Sequence, residues 1–258
     1  MKILALGDVF GEESVKYLTT HLNNVKKQQN IDFTIANCEN ASGATGVEPE
    51  MADALLAAGC DVLTGGNHTF SRHAFEKYLD TRENVLRPAN YPPATAGYGY
   101  CIKKAENGKR ILTVSLRGNG DMQPTLDCPF NTLEKILERE KGEFDISVVD
   151  IHAQYTSEKL ALLFAFDGRV NIIFGTHTHV PTADGRISEN GTGYITDIGM
   201  CGVKNSILGV ESSAILRNLR DKLPAKFNTA KGKITSMGAV FETDDITGRC
   251  VKVTRIEF

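Results

Sequence analysis

Apolar residues along the chain fall into short runs that each stop at a glycine or a polar residue. Lys2-Ile-Leu-Ala-Leu-Gly-Asp8, Asp32 to Cys38, Asp61 to Thr64, Asp145 to Asp150 and Val170 to Phe174 are rich in aliphatic and β-branched residues and read as buried strands. Helical patterns separate the first three. Val15, Leu18, Leu22 and Val25 mark one face of a helix over roughly Glu13 to Gln29. Pro49 opens a second helix, through Leu55 and Leu56, that stops at Gly59. His21 and His73 lie off the apolar positions and are expected at the surface. The alternation β-α-β-α-β predicts a parallel or mixed sheet with helices on its faces.

From Arg87 the pattern changes. Pro88, Pro92 and Pro93 exclude helix, and Tyr98 to Lys104 should pair with Arg110 to Leu116 across Asn107-Gly108 as a hairpin. Lys103, Lys104, Lys109 and Arg110 then belong to a solvated turn. A loop over Gly118 to Pro129 leads to a helix over Asn131 to Glu140. Ser157 is expected to cap a helix that turns Leu160, Leu163 and Phe164 inward. A short strand, Gly193 to Thr196, enters Asp197-Ile-Gly-Met200, and a helix follows around Ser212 to Arg220. Ile234 to Glu242 and Arg249 to Phe258 close the chain as an antiparallel pair. With no repeat, low-complexity stretch or linker, residues 1–258 are expected to form a single domain.

Composition narrows the function classes. A net charge of −3 argues against a surface that coats nucleic acid, so no stable nucleic-acid binding is expected. No apolar run approaches the ~20 residues of a membrane helix, and the N-terminus enters a strand without signal-peptide regions. The six cysteines are scattered without a C-x-x-C pair, as expected of reduced thiols in the cytosol.

The chemistry gathers where the strands stop. Val170 to Phe174 runs into Gly175-Thr-His177-Thr-His179, and imidazoles at i and i+2 on an extended segment would project to one side. That pair alone suits a solvated loop better than a metal site. It gains meaning because Asp8, Glu39-Asn40, Asn67-His68 and His152 each follow an apolar run of their own. In open α/β sheets the site lies beyond the carboxyl ends of the strands. Asp8 by itself could be a helix N-cap. The loop Ser42-Gly-Ala-Thr-Gly46 lacks the lysine of a P-loop, so it is a weak phosphate signal. Asp8, Glu39, Asn40, Asn67, His152, His177 and His179 exceed what one ion can use and suit two, with Glu39 bridging. Mixed carboxylate, amide and imidazole donors admit Mn, Fe and Zn. Two ions ~3.5–4 Å apart can hold a hydroxide and clamp phosphate oxygens during in-line displacement. His68, beside Asn67, is the candidate acid for the leaving oxygen.

Gly7-Asp8, Gly66-Asn67-His68, the lone strand-end His152 and Gly175-Thr-His177-Thr-His179 resemble the calcineurin-like metallophosphoesterases. The words Gly7-Asp-Val-Phe-Gly11, Glu39-Asn-Ala-Ser-Gly43, Leu86-Arg-Pro-Ala-Asn90, Thr156-Ser-Glu-Lys159 and Thr196-Asp-Ile-Gly-Met200 are similar to the YmdB-type branch. The resemblance implies an α/β fold, a four-layer α/β/β/α sandwich with mixed sheets. It also implies a dinuclear phosphodiesterase acting on 2′,3′-cyclic nucleotides, with 3′,5′-cyclic ones as a further class. Iron is the metal it favours, with Mn or Zn as alternatives, and it implies a cytosolic homo-oligomer. Carried over by residue, Asp8, Glu39, Asn40 and His179 would hold the first ion, and Glu39, Asn67, His152 and His177 the second. Phe10 stands where most of the wider superfamily has a histidine, and Asn40 would fill that vacancy. Gln154 stands where the branch usually has an acid. A phosphomonoesterase or protein phosphatase would favour more cationic groups at the phosphate. Only Arg72 and Arg87 lie near these motifs in sequence, which favours a diester. A metal-bound signalling or scaffold protein with little catalysis is the alternative of another class.

Overall fold

The computed structural model describes residues 1–258. Strand β1 (Lys2–Leu6) and the short β2 (Asp8–Val9) lead to α1 (Glu12–Gln29), β3 (Phe33–Asn37), α2 (Pro49–Ala57), β4 (Val62–Thr64) and α3 (His73–Leu79). There follow β5 (Tyr100–Lys104), β6 (Arg110–Arg117), α4 (Pro129–Arg139), β7 (Ile146–His152), α5 (Thr156–Phe166) and β8 (Ile172–Thr176). The chain finishes with β9 (Arg186–Ile187), β10 (Gly193–Ile195), β11 (Met200–Val203), α6 (Ser212–Leu219), β12 (Ile234–Thr243) and β13 (Cys250–Glu257). The result is a mixed α/β fold with two sheets. One has the order β2-β11-β12-β1-β3-β4 with β13 on β12, the other β5-β6-β7-β8-β10-β9. Both are mixed: β1 runs parallel to β3 and antiparallel to β12, and β6 parallel to β7 and antiparallel to β5.

The apolar runs lack alternation because their strands are buried on both faces. In β1, Leu4 and Leu6 join Val15, Leu18 and Leu22 of α1, while Ile3 and Ala5 join a cluster holding Val148, Phe174 and Phe241. In β7 and β8, Val149, Ile151 and Ile173 turn instead toward Leu133 of α4 and Leu162 of α5. The hairpin β5–β6 and the closing pair β12–β13 form as the sequence predicts.

Helix α5 departs from expectation. Its N-cap is Tyr155, with no side-chain cap bond, so Ser157 does not cap it. The buried face is Lys159, Leu162, Leu163 and Phe166, whereas Phe164 is 78% exposed. The face follows the i, i+3, i+4, i+7 positions from Lys159, a charged residue that hydropathy alone would have turned outward. Asp8 is likewise not a helix cap: it sits in β2, and Gly11 occupies the N-cap of α1.

Candidate metal centre

Strand ends from both sheets deliver the candidate residues to one place. Asp8 lies in β2, Glu39 and Asn40 just past β3, Asn67 and His68 past β4, His152 at the end of β7, and His177 and His179 past β8. A Cβ at Gly66 would collide with the Glu39 carboxylate and the His152 ring, so this strand end approaches only as glycine. The His152 Nε2 atom is the meeting point. It lies 2.8 Å from Asn67 Oδ1, 3.2 Å from Glu39 Oε1 and 3.1 Å from His177 Nδ1. Glu39 Oε2 accepts the His68 amide (2.8 Å), and Glu39 Oε1 accepts the Asn40 amide group (3.2 Å). On the other side Asp8 Oδ1 stands 3.6 Å from His179 Nε2, while Asp8 Oδ2 accepts the His177 amide at 3.0 Å.

The H-x-H pair reaches this place by a different route from the one expected. The segment is not extended there: His177 and His179 have φ of 97° and 62°. Such non-glycine values cost on the order of 1–3 kcal/mol each and persist only where the surroundings hold them. Lys159 and Asp197 supply the hold. Lys159 is fully buried and its Nζ donates to Thr176 O (2.7 Å) and Asp197 Oδ2 (2.9 Å). Asp197 Oδ2 also accepts the Thr178 amide and hydroxyl, at 3.1 and 2.8 Å. The two rings then diverge, His177 toward His152 and Gln154 Oε1 (2.9 Å), His179 toward Asp8 and Leu208 O (3.1 Å).

Electrostatics fit a cation. Burial alone would raise the Asp8 and Glu39 carboxyls, but His179 and His152 beside Asp8, and His152 beside Glu39, outweigh it and lower both. Burial and then His152 push His177 down to about 3. Burial would also lower His179, yet Asp8 raises it to about 9. Asp8 Oδ1 and Asn40 Oδ1 are buried oxygens without hydrogen-bond partners. Orphaned buried acceptors are costly. Together with the carboxylate, amide and imidazole lone pairs that converge on His152, they match the donor chemistry a hard or borderline ion requires. Among carboxylates, imidazoles and thiols, Glu39, His152 and His177 form one group whose ligand atoms lie within 4.8 Å of one another.

Comparison with known proteins places the chain. The family model for YmdB-like protein matches residues 4–256. The chain belongs to the YmdB-like family. A 2′,3′-cyclic-nucleotide 2′-phosphodiesterase of Bacillus subtilis (strain 168) is 39% identical over 256 residues, covering 99% of this chain and 96% of that one. A crystal structure of a protein from Thermus thermophilus superposes with a TM-score of 0.93 at 36% identity, covering 100% of this chain and 99% of that one. A structure described as a novel phosphatase of Mycoplasma pneumoniae also gives 0.93, at 32% identity, covering 100% and 93%.

Beneath the centre of this YmdB-like chain, sequence reasoning missed a polar bridge between the sheets. Asn37 of β3 donates to Asp150 Oδ2 of β7 at 3.1 Å and to Gly65 O at 3.1 Å. Thr176 Oγ1 donates to Asp150 Oδ1 (2.7 Å) and stands 2.9 Å from His152 Nδ1, which orients the ring. Burial pushes Asp150 up to about 6. The available signal was polar Asn37 and Asp150 at the ends of otherwise apolar strands. Arg117 was missed too. It pairs with His152 across β6 and β7 and is fully buried. Its guanidinium donates to the carbonyls of Gly118, Gln123 and Pro124. Arg87 is similarly spent on Pro88, Thr95 and Ala96 carbonyls, and Arg72 faces Glu48 at 3.7 Å. The cleft over the centre, about 390 Å³, is lined by Glu39, Asn40, His68, His177 and His179 and carries no lysine or arginine.

Proposed function

We propose that this chain is a metal-dependent phosphodiesterase that opens 2′,3′-cyclic nucleotides. The observation that carries the reading is the convergence of Glu39, Asn67 and His177 on His152, opposite Asp8 and His179, in a relative of a 2′,3′-cyclic-nucleotide 2′-phosphodiesterase. Asp8, Glu39, Asn40 and His179 would hold one ion, and Glu39, Asn67, His152 and His177 a second. Bound there, such ions would supply Lewis acidity at the phosphate and lower the pKa of water. Leu208 O accepts from His179 Nδ1 and leaves Nε2, the nitrogen facing Asp8, to an ion, while Gln154 engages His177 Nε2 and leaves Nδ1 facing the centre. Gln154 can do this without the negative charge usual in the branch. His68 would deliver the proton to the departing ribose oxygen. The cleft's lack of lysine and arginine suits a singly charged diester better than a doubly charged monoester. The same reading takes the three apolar clusters as the contacts of an α/β/β/α sandwich, supported by the way β1, β7 and β8 divide their side chains between clusters.

The test is hydrolysis of 2′,3′-cyclic AMP by protein loaded with Fe²⁺, Mn²⁺ or Zn²⁺, with elemental analysis of the same samples. We expect about two ions per chain, loss of turnover on chelation and a monophosphate product. Single-ion occupancy that never rises with added metal would argue against a dinuclear centre. Turnover of 3′,5′-cyclic AMP or of phosphomonoesters alone would overturn the substrate assignment.

A further inference from the structure

The cleft has a second half that phosphoester chemistry does not explain. Beyond His179, its walls are Phe10, Ile207, Leu208, Val210, Ile215 and Phe227, with Leu219 at the rim. Phe10 meets the His179 ring edge-on at 5.6 Å and so joins the apolar half to the candidate centre. The turn Ile207-Leu208-Gly209-Val210 is bridged Ile207 to Val210, with φ of 55° at Leu208 and 90° at Gly209. It presents the Leu208 side chain to the cleft while the Leu208 carbonyl holds His179. Helix α6 completes the wall. Ile215, Asn218 and Leu219 line the cleft from i, i+3 and i+4, one face of the helix. A soluble helix normally buries its apolar face, yet no residue of α6 is buried, and Leu219 and Phe227 are 62% and 42% exposed.

Resting on the phosphodiesterase reading, we propose that this apolar half is the nucleobase subsite of the same cleft. The charge-bearing lining all lies at the centre, in Glu39 and the three histidines, and the wall offers aromatic and aliphatic faces with one amide, Asn218. That chemistry fits a flat, neutral heterocycle held by stacking and excludes a second anionic group. At about 390 Å³ the cleft falls within the size range of small-molecule sites. Stacking is tolerant of base identity because every base has a π-face. With Asn218 as the one side-chain amide on the wall, the subsite should accept purines and pyrimidines alike.

The experiment measures adenosine binding and turnover of two cyclic phosphates, 2′,3′-cyclic AMP and the base-less methyl ribofuranoside 2′,3′-cyclic phosphate. Wild type is compared with Phe227→Ala and with Leu219→Ser, whose exposed position spares the fold. Adenosine should bind the wild type in the millimolar range or tighter and both variants several-fold more weakly. KM for the nucleotide should lie about 5- to 150-fold below that of the base-less ester, the range expected of base stacking. The variants should raise only the nucleotide's KM and leave kcat and the base-less substrate unchanged. Equal KM values in the wild type, equal effects on both substrates, or no adenosine binding would overturn the subsite. So would variants that change the mass in solution but not adenosine binding, which would make the wall an interface between copies. Adenosine binding that depends on the wall, in protein that cleaves neither ester with any metal, would sink the phosphodiesterase reading and leave the subsite standing.

Discussion

His68 lines the cleft beside His177 and His179, but only its backbone amide reaches a neighbour of the centre, Glu39. A ring that lines the cleft but stands outside the converging donor set is what the proposed acid role requires. His68→Ala should therefore retain its metals and fold yet lose roughly 10²–10⁴-fold in turnover of 2′,3′-cyclic nucleotides. A nitrophenyl diester, whose leaving group needs little protonation, should suffer much less. Equal losses on both substrates at matched metal content would rule the acid role out. Asn40 carries a different argument. Its Oδ1 is buried and unpartnered, and the neighbouring Phe10, which offers no ligand atom, packs against His179. Asn40→Ala is expected to weaken one ion and spare the other in a two-site metal titration. Unchanged affinity at both sites would make Asn40 structural.

At the scale of elements, α5 and the turn after β8 act as one unit. Lys159 is buried in α5 against Asp197, and Asp197 grips Thr178 between the two positive-φ histidines. A Cβ at Gly175 would collide with Thr196 O and the Lys159 stem, so this close packing also requires glycine. Removing one partner of a buried ion pair leaves the other charge uncompensated, at a cost of about 3–5 kcal/mol. Lys159→Met should lower the urea midpoint by a corresponding amount with little change in slope. It should also weaken metal binding, because the turn loses the contacts that hold His177 and His179. A variant as stable as the wild type would show that Asp197 is satisfied without the lysine.

Across the whole molecule, the two sheets depend on each other. Phe174 and Val148 of one pack with Ile3 and Phe241 of the other, and Asn37 and Asp150 bridge them beneath the centre. Neither sheet could bury its inner face alone, so the chain should unfold in a single step, with far- and near-UV circular dichroism coinciding. Two resolved transitions, or a stable half-molecule after limited proteolysis, would argue against a single domain. Much of this was already written locally. Strand runs, helix faces and hairpins depend on neighbours a few residues apart, and the sequence determined β1, α1, the β5–β6 hairpin and the β12–β13 pair to within a few residues. It also named the residues that meet at the centre, because polar side chains placed at strand ends are visible as interruptions of apolar runs. Tertiary structure decided what no local pattern encodes. Lys159 turned inward because Asp197, far along the chain, offered a buried partner. His177 and His179 left the extended conformation because Asp8 and Asp197 hold their turn in a strained one. Arg117 came to lie beside His152 through strand register, with its charge spent on carbonyls. Each outcome is set by a group distant in sequence, and burial makes that group's hydrogen bonds and charge strong enough to override local preference.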